Sequence, residues 1–214
     1  MMPFVIEILP SPFYQMRASK KSFMSVDKVK RTLFFLKDTI MDITFKELAT
    51  PTPKIATVMD KWENDPELIP FIRPNPTEED LAKQHPVTVE FLQERLEYNH
   101  IYLIYTDGQL VGEVSFQIDP GHLYKKEPGT AWVGINIGEK SARGKGIGAQ
   151  AMLFLEEQAK GRGLKRMELG VFEFNIRAIQ LYTKLGYREI VRIDNFTFWQ
   201  GKMWQDIRME KYME

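Results

Sequence analysis

The chain contains no cysteine. That absence excludes disulfides, zinc–thiolate centres and an acyl-cysteine intermediate, and it fits a reducing compartment. Histidine is scarce: His85, His100 and His122 stand far apart, and none forms the HxxxH pair of a metal site, so no metal is expected. No apolar stretch is long enough to span a bilayer. The N-terminal run MMPFVIEILP is short and broken by Glu7, which makes it a poor signal peptide. A cytoplasmic protein with no membrane partner is expected. Charge bias is also missing: Lys+Arg and Asp+Glu are both 29, so no basic surplus draws the chain to nucleic acid. What is present is 214 residues, 43% hydrophobic and 27% charged, the composition of one globular domain with room for an appendage.

Residues 1–42 differ from the rest and read as an N-terminal extension of unknown role. A short strand is expected at residues 4–9. Ser25 is placed to cap a helix over residues 26–40, whose apolar side holds Val29, Leu33, Phe34 and Leu36. The segment is basic through Lys20, Lys21, Lys28, Lys30 and Arg31. An appended helix, or a start placed too early with Met24 and Met41 as later starts, accounts for it better than an RNA or membrane arm.

From Ile43 to residue 214 the pattern is that of one α/β domain. ITFKELA alternates as a strand. Thr52 and Pro53 open a helix running toward Leu68. Residues 69–76 hold three prolines and read as irregular. A second helix follows at residues 87–98, then a hairpin turning at Asp107-Gly108. A long connection leads to the strand AWVGINIG. A helix to about Lys160, the strand LKRMELGVF, a helix capped by Asn175, the strand YREIVRI and a final turn and strand complete the chain.

The strand AWVGINIG ends in the basic, glycine-rich loop EKSARGKGIGA, which opens into the helix AQAMLFLEEQAK. Strand, glycine loop and helix start together form a phosphate cradle, because glycines let backbone N–H groups approach and the helix dipole favours negative charge. Arg143 and Lys145 add positive charge. The loop is not a P-loop: Gly146 follows Lys145 where Ser or Thr would hold magnesium. It does satisfy the dinucleotide spacing G-x-G-x-x-A from Gly144 to Ala149, with Glu168 about 20 residues on. Against that reading, EKSAR separates the strand from the first glycine, and too little chain follows for a doubly wound sheet. The acyl-CoA loop [Q/R]-x-x-G-x-[G/A] is also satisfied, by Arg143, Gly146 and Gly148.

A second motif, N-x-x-A-x-x-x-Y-x-x-L-G-[FY], runs through Asn175, Ala178, Tyr182, Leu185, Gly186 and Tyr187. With both motifs the sequence resembles the GNAT superfamily of N-acetyltransferases, from about Ile43 to Met213, and within it the ribosomal-protein N-terminal acetyltransferase-like branch. The resemblance implies a mixed, mostly antiparallel central sheet, splayed at the cofactor-binding strand and flanked by helices. It implies acetyl-CoA as acyl donor and direct transfer to a primary amine on a small molecule or a peptide N-terminus, by a monomer or homodimer. Asn136, Ile137 and Gly138 would pair with the pantetheine arm. Gly144, Lys145, Gly146, Ile147, Gly148 and Ala149 would hold the pyrophosphate beside Arg143, and Asn175 would bond the pantetheine arm or cap its helix. Tyr182 would be the general acid, pointing to the sulfur while Leu181 and Leu185 face the core. Some relatives carry a glutamate base five residues before the motif's asparagine, but here that position is Gly170. Glu113 is the first substitute, with Glu173 and Glu168 behind it, and ordered water the alternative. Acceptor specificity is expected from residues 69–85, 120–130 and 195–203, holding Phe71, Arg73, His122, Tyr124 and Trp199. Glu78, Glu79 and Asp80 would attract a cationic amine or, more plainly, open a helix. The non-enzymatic alternative is an acyl-CoA-binding regulatory module on the same fold.

Overall fold

The computed structural model describes residues 41–214. The strand expected at residues 4–9 and the helix expected at residues 26–40 lie outside the described residues. Strand β1 (Ile43–Glu47) is followed by helices α1 (Pro53–Glu63), the single turn α2 (Ile69–Ile72) and α3 (Val89–Leu96). The hairpin β2 (His100–Thr106) and β3 (Gln109–Ile118) leads to β4 (Thr130–Asn136) and α4 (Ile147–Gly161). Then come β5 (Arg166–Phe172), α5 (Ile176–Lys184), β6 (Arg188–Trp199) and β7 (Lys202–Tyr212). The strands form one seven-stranded sheet in the order β1-β2-β3-β4-β5-β7-β6. All its pairs are antiparallel except β4 with β5.

Local chemistry sets most of the boundaries. Thr52 caps α1 by accepting from the Ile55 amide at 3.3 Å, with Pro53 just inside. Thr88 does the same for α3, accepting from Phe91 at 3.1 Å, and Asn175 for α5, accepting from Ala178 at 3.3 Å. Both tight hairpins turn through two left-handed residues, Asp107-Gly108 and Gln200-Gly201, as the type I′ geometry demands.

Three expectations need correction. The first helix stops at Glu63, where the Asn64 cap amide turns back onto the Asp60 carbonyl, instead of reaching Leu68. Residues 69–76 are not wholly irregular: Pro70 sits in the first turn of α2, where its missing N–H costs nothing. Residues 195–203 are not an irregular loop but the ends of two paired strands, Thr197 facing Trp204 and Trp199 facing Lys202. Asn195 carries a positive φ of 51° at a register shift in β6, so the residue read as a turn is a local irregularity within one strand.

The sheet is covered on both faces. Val114, Phe116, Ala131, Val133, Met167 and Leu169 pack against Ile147, Met152 and Leu155 of α4 and Tyr182 of α5. On the other face Ile101 and Leu103 pack against Ala56, Met59 and Trp62 of α1 and Leu92 of α3. No described helix is long and apolar enough to cross a membrane.

The feature that positions the site is a parting of the sheet. β4 is paired with β3 as far as Asn136, opposite Glu113, and β5 with β7 as far as Phe172, opposite Asp206. Between themselves β4 and β5 pair only from Thr130–Arg166 to Trp132–Glu168. Residues 133–136 and 169–172 therefore face each other across a gap with no ladder bonds. A buried ionic cluster braces the closed end. Arg166 bonds Glu168, Thr130 Oγ1 at 3.2 Å and Glu210 at 2.8 Å, while Lys125 and Arg188 reach Glu210 at 2.7 and 3.0 Å. At the open end two glycines admit close backbone approach. A Cβ on Gly112 would lie 2.4 Å from the Asn136 carbonyl oxygen, and one on Gly138 2.0 Å from the Trp62 indole. Trp62 Nε1 and Lys61 Nζ both donate to Glu139, each at 3.0 Å, locking α1 to the end of β4. Gly138→Ala is expected to destabilise the fold by about 1–3 kcal/mol through overpacking against the indole, measured as the shift in urea unfolding midpoint; unaltered stability would contradict this packing.

Candidate active site

The glycine loop forms as the sequence predicts, and it is open. Gly144 and Gly146 have φ of +75° and +80°, and Gly146 stands at the N-cap of α4 with no side chain to cap it. The Arg143 amide donates to Lys140, and the next amides that find a carbonyl, Ala149 and Gln150, both turn to Gly146. The amides of Gly144, Lys145, Gly146, Ile147 and Gly148 have no acceptor among the described residues. α1, α3 and α5 each satisfy a first-turn amide with a side chain; α4 leaves its start unfilled beside the parting of β4 and β5. Such a start accepts an anion. Arg143 also has a structural part. Its Nε donates to the Ile137 carbonyl at 3.0 Å and its Nη2 to the Gly138 carbonyl at 2.7 Å, so it staples the loop to the strand it leaves. Lys145 is exposed.

On the α1/α3 face, a cleft of about 570 Å³ lies over the ends of β3 and β4. Glu113, Ser115, Gly134 and Asn136 floor it, and Trp62, His85, Phe91 and Arg95 wall it. Glu113 and Asn136 are register partners, so the carboxylate stands beside the strand end that borders the gap. Both terminal nitrogens of Arg95 approach Glu113 Oε1 at 3.3 Å, while Glu113 Oε2 is buried without a partner. The wall at residues 84–87 is fixed to α1: the His85 amide donates to Asn64 Oδ1 at 2.7 Å and the Val87 amide to Asp60 Oδ1 at 2.8 Å.

Tyr182 lies on the opposite face. It is 6% exposed, with its ring centroid 5.9 Å from that of Tyr187. Burial pushes its phenol up to about 12, leaving a neutral donor at ordinary pH. Leu181 and Leu185 were expected to take the core side of α5, yet Tyr182 is the more deeply buried. Leu181 instead rests over the start of α4, its Cδ2 3.2 Å from the place a Cβ on Gly148 would take. Gly148 thus serves helix packing, bringing α5 onto the uncapped end of α4.

None of the other acidic candidates lines this cleft. Glu168 is fully buried against Arg166 and accepts from the Tyr124 amide at 2.7 Å. Glu173 faces Arg192 at 3.6 Å. Glu78 and Glu79 are exposed, and Asp80 accepts from Thr77 and Lys83. Over Gly170 sits a carboxylate to which the sequence assigns no role. Asp206 Oδ1 and Oδ2 lie 2.9 and 3.0 Å from where a Cβ at position 170 would be, paired with Arg208 at 2.5 Å. Burial holds this carboxyl above its usual range against the pull of that guanidinium. Of the residues expected to set specificity, Phe71 and Trp199 come together at 6.5 Å between ring centroids, whereas His122 stacks edge-on to Trp132 at 4.8 Å. Tyr124 is exposed.

Comparison with known proteins agrees with this geometry. The family model described as acetyltransferase (GNAT) family matches residues 58–187. The spermine/spermidine N(1)-acetyltransferase of Bacillus subtilis is 29% identical over 86 residues, which cover 40% of this chain and 57% of that protein. The chain thus spans a little over half the length of the curated relative it matches. Among solved structures, the ribosomal-protein-alanine N-acetyltransferase of Brucella melitensis superposes with a TM-score of 0.62 at 19% identity, covering 79% of this chain and 99% of that one. The spermidine N-acetyltransferase of Vibrio cholerae, solved with CoA and spermine, gives 0.61 at 16% identity, covering 79% and 95%. These two share the fold. With the family model matched over more than half its length, the chain belongs to the GNAT acetyltransferase family.

Proposed function

We propose that this protein transfers an acetyl group from acetyl-CoA to a primary amine by direct attack. The observation that carries the proposal is the parting of β4 and β5 next to the uncapped start of α4. An extended arm fits the gap as an added strand, since unpaired strand edges are what β-augmentation uses. The acceptor-free amides of Gly144, Lys145, Gly146, Ile147 and Gly148 lie where that arm's pyrophosphate would end, at the positive end of a helix. Asn136, Ile137 and Gly138 border the gap, and Asn175 caps the helix facing it.

Acetyl-CoA supplies the acyl group as a thioester whose sulfur departs. The amine nitrogen bonds the acyl carbon, the C–S bond breaks, and one proton passes in net from nitrogen to sulfur. The chain supplies the two ends of that transfer. Glu113 Oε2, buried and unpartnered, takes the amine proton while Arg95 holds Oε1. Tyr182, kept neutral by burial, gives a proton to the sulfur. An alkylamine with a pKa near 10 is mostly protonated at neutral pH, so a proton acceptor in the cleft raises the reactive fraction. The resemblance of one matched segment to a spermine/spermidine acetyltransferase supports an amine acceptor. The test is CoA release across polyamines, aminoglycosides and N-terminal peptides. Turnover with an amine supports the reading, and CoA binding with turnover of none favours the regulatory module.

Gly146→Glu is expected to abolish CoA binding in calorimetry, because it adds strain at a positive φ and negative charge where phosphate would sit; unchanged affinity would overturn the loop assignment. Tyr182→Phe should lower kcat about 100-fold, within the usual reach of general acid catalysis, and leave CoA affinity nearly unaltered. The same variant tests linkage. Tyr182 contributes stability that is complete below about pH 10, the ordinary tyrosine value. That contribution is lost as pH rises through about 12, and the phenylalanine variant should lack this alkaline slope. Glu113→Gln should lower kcat/KM about 100-fold by removing the proton acceptor, and activity equal to wild type would assign the proton to water.

A further inference from the structure

Six aromatic side chains converge where β5 ends. Phe71 of α2 meets Phe174 edge-on at 5.4 Å, and Phe174 lies 6.3 Å from Trp199 and 5.5 Å from Trp204. Phe172 extends the group at 5.7 Å from Phe174 and 6.2 Å from Phe196. Phe174 directly precedes Asn175, and Phe71 directly precedes Ile72, which with Glu63 lines the acceptor cleft. The cluster therefore adjoins both the gap in the sheet and the cleft.

Buried polar bonds hold this arrangement. Fully buried Asn75 donates its amide to Thr197 Oγ1 at 2.9 Å and accepts from the Phe198 amide at 2.6 Å, hooking the segment after α2 onto β6. Arg73 ties the same segment to Glu63 at 2.8 Å and to the Lys83 carbonyl at 2.6 Å. Phe71 is nevertheless 42% exposed. A large apolar ring fixed by buried hydrogen bonds yet left half in water is positioned for an external apolar group. The acids of the cleft do not ask for a polycation: Glu63 is paired with Arg73 and Glu113 with Arg95. A ligand bearing several ammonium groups would find both cleft carboxylates already paired with arginine, with Glu113 Oε2 as the buried oxygen left without a partner.

We propose that the acceptor is a monoamine borne on an aromatic group, with its ring among Phe71, Phe174 and Trp199 and its amine in the cleft at Glu113. This rests on the acetyltransfer reading and narrows it, away from the polyamines of the matched relative. Aromatic packing of this kind supplies binding energy to the non-reacting part of the substrate and so acts chiefly on KM.

The experiment measures CoA release by the full chain from acetyl-CoA with 2-phenylethylamine, butylamine and spermidine, for wild type, Phe71→Ala and Phe71→Tyr. Phe71 is half exposed, so its truncation opens no buried cavity, and CoA affinity of each variant verifies the fold. Wild type should prefer 2-phenylethylamine over butylamine by about tenfold or more in kcat/KM, the worth of burying one ring. Phe71→Ala should cut that preference about tenfold through KM, and Phe71→Tyr should restore it. Turnover in which spermidine or butylamine equals 2-phenylethylamine, or a preference untouched by Phe71→Ala, overturns the aromatic acceptor and leaves acetyltransfer standing. CoA binding with no turnover of any amine overturns both.

Discussion

Everything in this molecule turns on two parallel strands that pair for three residues and then separate. The separation is held at both ends. Below it, Arg166, Glu168 and Glu210 form a buried ionic group that binds β4, β5 and β7 together. Buried charges are tolerated only when fully matched, and here the three side chains also recruit Thr130, Lys125 and Arg188. Above it, Gly112 lets β3 crowd the Asn136 carbonyl, and Gly138 lies on the Trp62 indole, so β4 is drawn toward α1 and away from β5. A gap with unpaired strand edges would invite aggregation if left idle. Placed beside an uncapped helix start, it is the feature on which the proposed cofactor groove rests.

Charge is managed differently in each part of the site. The loop offers partial charges, backbone amides and a helix dipole, with Arg143 bonded to two carbonyls. The cleft offers carboxylates already paired with arginines, with Glu113 Oε2 buried and without a partner. On the α4/α5 face burial alone raises the Tyr182 phenol, and this desolvation keeps it protonated. Glu113 and Tyr182, the proposed proton acceptor and donor, thus lie on opposite faces of the sheet, and the proposal joins them through the gap between β4 and β5.

Local signals were legible in the sequence and long-range ones were not. Thr52 and Asn175 announced two helix starts because a cap involves residues three apart, whereas the helix expected over residues 87–98 starts at Val89 behind a Thr88 cap. Asp107-Gly108 announced a hairpin for the same reason. The glycine loop and the Asn175–Tyr187 motif were legible as motifs because their spacing is sequential. Arg95, Trp62 and Gly112 gave no such signal: each matters through a partner 18, 77 or 24 residues away, Glu113, Glu139 or Asn136. Arg143 was legible as a cation but not as a staple, since its acceptors are backbone carbonyls whose direction only the fold sets. Residues 195–203 misled for a physical reason. Asn195 and Gly201 are both turn formers, but only Gln200-Gly201 lies where two strands can fold back on each other.

Hydrogen exchange with and without saturating CoA tests the central claim most directly. The account predicts slowed exchange at two separated places, the amides of residues 144–148 and the facing strand edges at 133–136 and 169–172, with the buried cluster around Arg166 already protected in both states. Protection confined to the α1/α3 cleft, or none at residues 144–148, would contradict it.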